Sequence, residues 1–483
     1  MKIKKLQKKR IAVLWFWREG KSSLSFLLHI GTKKIWVFDD IEDSMYEFSK
    51  FLVDTKKSFD FEVSKEHDCF KWKVKYKHWK KIIHIKFCFW KYTQDDLEKF
   101  DAIIKAPWVS PYQERFSKVQ DKFTSQTQIF YNNYSWKVIW ITGTKGKSTI
   151  SSFTYNALKN AKFNVKLVGN IWKPVLDEIS IGEEKKYDYV VYEMSSYMLD
   201  AFQPKNYISV LNNVYTCHLD WHKNLENYTE AKQNILKKSR YKLLNNVFSH
   251  LAWDTKVSIF GSSGDYYYKD HHFYIWKTKI ATAKESKLLW IHNMENVSAV
   301  VWILHKILKR KKSVGKIIEK TLKNFVPLEH RLEKVGTFKD ITFINDAIAV
   351  TPEATIAAIK TFSPDLETLF LWWKEAGYDF SQLESFIAQE ASIKNIVLFP
   401  DADILPQVFH WILMERQKEI TFWGRTIRVL KTKKMESAVK FAYEYTQPKK
   451  VALLSCAAQS FSLWKNFEIK GAEFKKYVKD FSK

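Results

Sequence analysis

Gly143-Thr144-Lys145-Gly146-Lys147-Ser148-Thr149 is the most informative segment of this chain, because it follows an apolar run and precedes a stretch with helical periodicity. That setting is typical of a loop that binds phosphate groups. Backbone N–H groups and the helix N-terminus would hold phosphate oxygens, Lys147 would reach the transferred phosphate, and the Ser148 hydroxyl would bind Mg²⁺. The loop is shorter than the general Gly-x-x-x-x-Gly-Lys-Ser/Thr form, since position 141 is isoleucine.

Apolar, strand-like runs alternate with helix-like stretches on both sides of this loop. The alternation predicts an α/β protein with parallel sheets, whose ligands bind at the carboxyl ends of the strands. The polar stretch 132–135 and Pro327 divide the 483 residues into three expected domains, 1–133, 134–327 and 328–483. We expect Rossmann-like first and third domains and a central domain with a parallel sheet behind the phosphate loop.

Tryptophan is unusually frequent in this chain and glycine unusually rare, with 20 and 13 residues. Average usage would give roughly 34 glycines. Glycine at 15 and 17 would turn residues 15–20 into Gly-x-Gly-x-x-Gly between a strand and a helix, which is a nucleotide-binding turn. One hypothesis is that a codon meaning glycine in the source organism, most simply a reassigned stop codon, is written as tryptophan. The alternative is a chain that is simply rich in tryptophan.

The net charge of +26 raises the question of nucleic-acid binding. Lysine is spread along the whole chain, and the longest basic clusters are residues 1–10 and 309–312. A nucleic-acid-binding protein would instead concentrate its charge on one face. We therefore expect attraction for an anionic nucleotide substrate and no nucleic-acid partner, although a basic ATPase that acts on nucleic acid stays open as an alternative.

Cysteine content and hydropathy bear on the compartment. The four cysteines are scattered and form no CxxC pair, which is typical of a reduced, cytoplasmic protein. The basic residues 1–10 precede an apolar run that is too short for a signal peptide. Since no apolar stretch reaches the length of a membrane helix, we expect no integral membrane segment.

Three further residues are candidates for metal binding. Glu193 ends an apolar strand-like run, where a carboxylate is costly to bury unless a metal or a base accompanies it. His218 and, close to it, Asp220 follow another such run and could supply a second metal position. Glu193 and His218 each also have an ordinary structural interpretation, and it is the nearby phosphate loop that favours the metal.

These features occur in an order that resembles the Mur ligase family over almost the whole chain. The family carries the phosphate loop, a glutamate at a strand end, a His-x-Asp segment, a lysine in an Ala-Lys segment, a His-Asn-x-x-Asn segment, a His-Arg pair and an Asn-Asp pair. The corresponding positions here are 143–149, Glu193, His218, Lys232, residues 292–296, His330-Arg331 and Asn345-Asp346.

The resemblance implies three domains, for a UDP-sugar, for ATP and for an amino acid. Three segments are most similar to the members that add D-glutamate to UDP-N-acetylmuramoyl-L-alanine. They are residues 343–349, residues 371–373 with 379–380, and residues 453–458 with 465–468. The implied reaction uses ATP and Mg²⁺, passes through an acyl phosphate, and belongs to peptidoglycan precursor synthesis in the cytoplasm. We expect a monomer.

The resemblance also implies a role for each matched residue. Lys147, Lys232 and His218 would be catalytic, with Lys232 carbamylated by CO₂ and so able to help bind a second Mg²⁺. The metal ligands would be Ser148, Glu193, His218 and Lys232. The ATP-binding residues would be Gly143, Thr144, Lys145, Gly146, Lys147, Ser148, Thr149, Asn293, Asn296, Arg331 and Asp346. Asn170 would contact the muramoyl-alanine part, and Ser455 and Trp464 the D-glutamate.

The sequence departs from the family at a few positions. Ala347 and Ile348 replace a common Ser-Lys, and Ala376 replaces a basic residue that often binds the glutamate side chain, so a ligase for a different amino acid remains an alternative. So do a folate polyglutamate-type synthetase and an inactive relative whose sites the indoles fill. The family has glycine at eight positions, several of which we expect to show positive φ or to crowd a nucleotide pocket: Trp15, Trp17, Trp108, Trp140, Trp172, Trp290, Trp372 and Trp373. Trp221 and Trp464 have the character of native residues.

Overall fold

The structure is a computed structural model that forms two compact units, residues 1–325 and 326–483. It describes residues 2–39, 48, 50–51, 59–66, 69–76, 82–88, 93–134, 137–170, 173–178, 186–200, 202–252, 256–286, 288, 291–372, 380–399, 416–422, 424–458 and 463–482. Trp172, Trp290 and residues 373–379, which include Trp373 and Ala376, lie outside the described residues.

The first unit contains two sheets, and the first of them has seven strands in the order β3-β4-β5-β2-β1-β6-β7. Strands β5, β2, β1, β6 and β7 run parallel, whereas β3, β4 and β5 pair antiparallel. The bounds are β1 Arg10–Leu14, β2 Lys34–Phe38, β3 Phe59–Glu66, β4 Cys69–Tyr76, β5 Ile82–Cys88, β6 Ala102–Lys105 and β7 Phe123–Thr124.

The second sheet has nine strands in the order β16-β15-β14-β13-β12-β11-β8-β10-β9. Strands β8 to β14 are parallel, and β14, β15 and β16 form an antiparallel edge. The bounds are β8 Val138–Thr142, β9 Val165–Gly169, β10 Tyr189–Glu193, β11 Ile208–Leu211, β12 Tyr241–Asn245, β13 Val257–Phe260, β14 Tyr266–Lys269, β15 His272–Ile275 and β16 Thr278–Thr282.

The second unit contains one sheet of seven strands in the order β17-β18-β23-β19-β20-β22-β21. Its five inner strands are parallel, and β17 and β21 are antiparallel edges. The bounds are β17 Glu333–Phe338, β18 Ile341–Asn345, β19 Leu366–Trp372, β20 Asn395–Phe399, β21 Arg416–Phe422, β22 Arg425–Lys431 and β23 Val451–Leu454.

The helices connect the parallel strands. Those of the first unit are α1 Ile3–Leu6, α2 Arg18–His29, α3 Gln94–Glu98, α4 Gln126–Asn133, α5 Lys147–Asn160, α6 Val175–Glu178, α7 Ser196–Leu199, α8 Leu219–His222, α9 Leu225–Lys237, α10 Ile291–Leu308 and α11 Lys311–Asn324. Those of the second are α12 Pro352–Phe362, α13 Ser381–Gln389, α14 Met435–Tyr445 and α15 Phe467–Asp480. Short 3₁₀ turns span Glu114–Phe116, Gln120–Lys122 and Asn246–Leu251.

Burial of β8 explains why the phosphate loop is firmly held. All five residues of β8 are buried, as expected for a parallel strand covered on both faces. Ile139 and Ile141 join a core with residues of α5 and α10, whereas Trp140 faces the core shared with the first sheet. The loop after β8 therefore starts from a rigid strand and ends on a well-packed helix.

The predicted α/β class with parallel-dominated sheets is confirmed, since parallel strands form the centre of all three sheets. The antiparallel edges were not predicted. The expectation of four reduced cysteines is wrong for Cys88, which is disulfide-bonded, and the antiparallel register places residue 69 opposite it. Cys217 and Cys456 are free and buried. No helix in the described part of the chain is long and apolar enough to cross a membrane.

Candidate functional site

The phosphate loop has a backbone that requires glycine. Gly146 is the N-cap of α5 and has φ of 76°. A Cβ there would lie 2.4 Å from Nδ2 of Asn212 and 2.5 Å from Oδ1 of Asn296, so both side chains would have to move, and any other residue would also be strained at this φ. Gly143, with φ of 157°, begins the same loop. The N-terminus of a helix of 14 residues therefore opens on a loop with little side-chain bulk, as an anion site needs.

Two lysine amines lie against this loop. The Lys147 amine donates to the carbonyl oxygens of Gly143 and Thr144, at 2.8 and 2.9 Å. The Lys232 amine, from α9, also donates to the Gly143 carbonyl, at 2.9 Å. The structure thus brings together the two lysines that the sequence predicted to be catalytic, although they are 85 positions apart in the chain (232 − 147).

A buried carboxylate lies beside the first turn of α5. Glu193 ends β10 and is fully buried. Its Oε1 accepts from the Ser148 hydroxyl at 3.2 Å and from the Asn170 amide at 2.8 Å. Oxygen donors of this kind suit a hard cation such as Mg²⁺. Among the described side chains, no three of the His, Cys, Asp or Glu type gather in one place.

The electrostatics around the loop favour neutral bases. Burial, followed by the nearby Lys147, lowers the pKa of Lys232 well below its usual value. Burial is the main cause that lowers the pKa of His218 to about 3, so that its imidazole is neutral near pH 7. Nδ1 of His218 and the Tyr197 hydroxyl are 2.7 Å apart. A neutral imidazole keeps a lone pair for a metal or a proton.

Asn212 and Asn213 are site residues that sequence reasoning missed. The Asn212 amide donates to the Lys145 carbonyl at 3.0 Å and to Oδ1 of Asn296 at 2.9 Å. The side-chain oxygen of Asn213 accepts the Lys145 N–H at 2.7 Å, and its carbonyl accepts the Thr144 N–H at 2.9 Å. The sequence feature that could have indicated them is a pair of asparagines directly after β11. That strand pairs with β8, so its carboxyl end lies beside the phosphate loop.

The residues predicted to bind adenine begin α10. Asn293 and Asn296 are both buried in the first turns of that helix, and the Asn212 bridge joins Asn296 to the phosphate loop. A further contact to the loop comes from Tyr228, whose hydroxyl lies 2.7 Å from that of Thr144. Neither Asn212 nor Tyr228 was expected, yet both fix the position of predicted residues.

The second unit has its own polar cluster at the carboxyl ends of β18 and β23. Oδ2 of Asp346 accepts from the Ser455 hydroxyl at 3.0 Å, and Oδ1 accepts the N–H of Leu332, the neighbour of Arg331, at 3.2 Å. The structure therefore brings together Asp346, Ser455 and the segment that follows Arg331, residues that the resemblance assigned to two different ligands. Trp464 packs instead on Trp372 and Phe399, with ring centroids 5.5 and 5.1 Å away.

The turn after β1 differs from the phosphate loop. Trp15 has φ of 75°, and Trp17 precedes α2 with extended φ of −91°. The Phe16 N–H donates to the carboxylate of Asp39 at 2.6 Å, so the strand-end acid of β2 binds the turn itself. Burial raises the pKa of Glu19, in the first turn of α2, to about 7.

The expectation for the eight tryptophans is met in part. Trp15 has positive φ, and Trp140 and Trp372 are fully buried in strands. The side chains of Trp17 and Trp108 are 45% and 39% exposed, and neither residue has positive φ. Positive φ is thus seen at one of the five positions that the structure describes.

Comparison with known proteins agrees with this arrangement. The Mur ligase middle domain family matches residues 141–304. A UDP-N-acetylmuramoylalanine–D-glutamate ligase of Francisella philomiragia is 30% identical over 393 residues, which cover 79% of this chain and 87% of that protein. A ligase of the same name from Acetivibrio thermocellus is 27% identical and covers 98% of this chain and 97% of that protein.

Solved structures share the fold at lower identity. The MurF ligase of Thermotoga maritima, crystallised with ADP, has a TM-score of 0.53 and 17% identity and covers 80% of this chain and 91% of that one. A pseudomurein peptide ligase type C from Methanothermus fervidus has a TM-score of 0.55 and 14% identity and covers 98% and 100%. The solved structures show the shared fold, and the sequence similarity to the D-glutamate ligases shows the family: the chain belongs to the Mur ligase family.

Proposed function

We propose that this protein is an ATP-dependent ligase that adds D-glutamate to UDP-N-acetylmuramoyl-L-alanine during peptidoglycan precursor synthesis. The observation that carries the proposal is the convergence of Lys147, Lys232 and Glu193 on one phosphate loop. The names of the relatives supply the substrates, UDP-N-acetylmuramoylalanine and D-glutamate.

The reaction must activate a carboxylate, because a free carboxylate repels nucleophiles and has no good leaving group. The alanyl carboxylate oxygen attacks the γ-phosphorus of ATP, the bond to ADP breaks, and an acyl phosphate forms. The D-glutamate amine then attacks the acyl carbon, loses a proton, and expels inorganic phosphate as the amide forms. Lys147 is well placed to stabilise the transferred phosphoryl group, since its amine already lies on the loop.

Mg²⁺ suits the donors beside Ser148. This cation prefers oxygen ligands and often takes one or two carboxylates together with substrate phosphates. Ser148 and Glu193 offer a hydroxyl and a buried carboxylate within 3.2 Å of each other, and we assign His218 and Lys232 to a second position. Bound there, Mg²⁺ would neutralise charge on the phosphates during transfer.

Lys232 is proposed to react with CO₂. Its lowered pKa favours the neutral amine, whose lone pair can add to CO₂ and release a proton to give a carbamate. The product is an anion, which could bind a cation where the free amine would repel one. Neutral His218 could accept a proton or a metal beside it.

The remaining roles follow the organisation of the chain. We propose domains 1–133 for the UDP-sugar, 134–327 for ATP and 328–483 for the amino acid, in a cytoplasmic monomer. Asn293, Asn296, Arg331 and Asp346 would bind ATP, Asn170 the muramoyl-alanine part, and Ser455 and Trp464 the D-glutamate.

The test is a ligation assay with purified protein, ATP, Mg²⁺, UDP-N-acetylmuramoyl-L-alanine and a panel of amino acids. We expect phosphate release with D-glutamate and a product that has gained one glutamyl residue by mass spectrometry. Turnover with another amino acid alone would reassign the specificity. The assay should include the chain as printed and a variant with glycine at 15 and 17, and no turnover by either would contradict the proposal.

A further inference from the structure

We propose that residues 15 and 276 are glycine in the protein made by its own cells, because one codon that is written as tryptophan in this sequence is read there as glycine. The chain then contains two classes of tryptophan position. One class has a backbone or a surrounding that glycine fits, and the other has an indole that makes a hydrogen bond.

Trp15 has the backbone of a glycine. Its φ of 75° lies in the left-handed region, which is rare for a bulky residue and free of cost for glycine. The position is held tightly, because the Trp15 N–H donates to the Phe38 carbonyl at 2.8 Å. The Trp15 carbonyl oxygen would lie 2.0 Å from a Cβ at Gly20, so the chain doubles back closely within this turn.

Trp276 gives the same result in a different sheet. Ile275 pairs with Thr278, so residues 276 and 277 form a two-residue hairpin loop between β15 and β16. Trp276 has φ of 53°, and glycine is the residue that a tight hairpin favours at a first loop position with positive φ. Its indole is half exposed and contacts the side chains of Lys311 and His305 on the surface.

Indole hydrogen bonding separates the two classes further. Trp302 and Trp372 are fully buried, and their Nε1–H groups have no acceptor within the described part of the chain. A buried indole N–H normally finds a partner, and leaving it without one is costly. By contrast, Trp221 donates to the Trp108 carbonyl at 2.9 Å, and Trp464 donates to the Glu473 carboxylate. The hydrogen bonds keep Trp221 and Trp464 as tryptophan. Trp302 and Trp372 are not assigned to the glycine positions, because glycine would leave cavities in the cores that their indoles fill.

The composition supports one cause for all of these positions. The chain has 20 tryptophans and 13 glycines. If some of these tryptophans are glycine, both counts come closer to ordinary usage. With glycine at 15 and 17, residues 15–20 read Gly-Phe-Gly-Arg-Glu-Gly. On the function proposed above, that pattern would be a nucleotide-binding turn for the UDP-sugar.

Peptide mass spectrometry of the protein purified from its own cells tests the proposal directly. We expect fragment masses with glycine at 15 and 276 and with tryptophan at 221 and 464. Tryptophan at 15 and 276 in that protein would overturn the proposal. The readout does not involve activity, so it stands whether or not the ligase assay succeeds.

A second test uses the chain as printed, expressed in a host that reads tryptophan. Trp276→Gly and Trp15→Gly should each raise the Tm, by about 2–4 °C, because they relieve the left-handed conformation. Trp221→Gly is the matched control and should lower the Tm, because it removes a used hydrogen bond and a buried ring. If the glycine variants at 15 and 276 lose as much stability as that control, the two classes do not exist.

Discussion

The turn after β1 and the loop after β8 occupy equivalent places in the two sheets of the first unit, yet they carry different residues. Gly146 in the loop and Trp15 in the turn both have left-handed φ, of 76° and 75°. Glycine adopts this conformation freely, whereas tryptophan is strained in it. Each region therefore contains a residue with left-handed φ, and only in the loop does the residue suit it.

The two regions also differ in what surrounds them. The loop after β8 is contacted by lysine amines, asparagine amides and a buried carboxylate nearby. The turn after β1 is contacted by Asp39, and Phe16 packs on the rings of Phe48 and Phe51. One region is lined with groups that do chemistry and the other is filled with aromatic rings. Five substitutions test how far this contrast holds.

Lys147→Ala should have the largest effect. Removing the amine that lies on the loop should lower kcat by about 10²–10³-fold, as for other groups that stabilise transition-state charge. The measurement is steady-state phosphate release with all substrates saturating. Lys159→Ala, on an exposed part of the same helix, is the matched control and should keep the activity of the parent. Equal loss in both variants would show that the helix, and not the amine, is responsible.

Glu193→Gln should follow, because it keeps the size of the side chain and removes its charge. Ser148 and Asn170 could still hydrogen-bond to the amide oxygen, so the fold should be retained. We expect activity to fall about 10–100-fold and the Mg²⁺ concentration for half-maximal rate to rise. An unchanged Mg²⁺ dependence would place the cation elsewhere.

Gly146→Ala reverses the situation at Trp15 by adding a side chain to the left-handed position. The new Cβ would meet Asn212 and Asn296 at 2.4 and 2.5 Å. We expect a loss of about 1–3 kcal/mol in the free energy of unfolding and a raised KM for ATP. Denaturant unfolding and ATP titration measure the two effects. The control is Gly424→Ala, also at positive φ but with no atom within 4 Å of its Cβ, which should lose stability without a change in KM.

How far the sequence predicts this site depends on how local each feature is. The loop 143–149 could be read from its glycines and the apolar run before it. The closeness of Glu193 and Ser148 follows once β8 and β10 are known to be parallel neighbours, with Glu193 paired to Ile141. The contact of Lys232 with Gly143 could not be predicted from the residues alone, because it depends on how α9 packs across the sheet.

The antiparallel edge of the second sheet was missed because one of its hairpins lacks the residues that signal a turn. The hairpin of β15 and β16 is joined by Trp276 and Lys277, and neither residue is a turn signal as written. Glycine at 276 would have given that signal. Tryptophan in place of glycine therefore strains the backbone in the turn after β1. The same replacement at 276 concealed the hairpin of β15 and β16.

The smallest effect is on the pH dependence of stability, where the two regions should respond with opposite sign. Near the loop, the pKa of His218 falls from 6.5 to about 3 on folding, so the unfolded chain binds more protons between those values. Stability from this group is therefore lost as the pH falls below about 6.5. At the turn, the pKa of Glu19 rises from 4.5 to about 7, so the folded chain binds more protons. Its contribution is lost as the pH rises from about 4.5 to 7.

Glu19→Gln and His218→Gln separate these two contributions in thermal melts between pH 5 and pH 8. Glutamine at 19 stays neutral, so the variant should gain about 2–4 °C over the parent at pH 8 and little at pH 5. With glutamine at 218, the Tm should fall less toward acid pH than that of the parent protein, because glutamine takes up no proton on unfolding. The controls are Glu226→Gln and His250→Gln at two exposed positions, and both should leave the dependence of Tm on pH unchanged. If Glu19→Gln instead changes the Tm at acid pH, the Glu19 carboxyl group is paired in the folded protein. The turn after β1 would then resemble the phosphate loop more than the aromatic rings around it indicate.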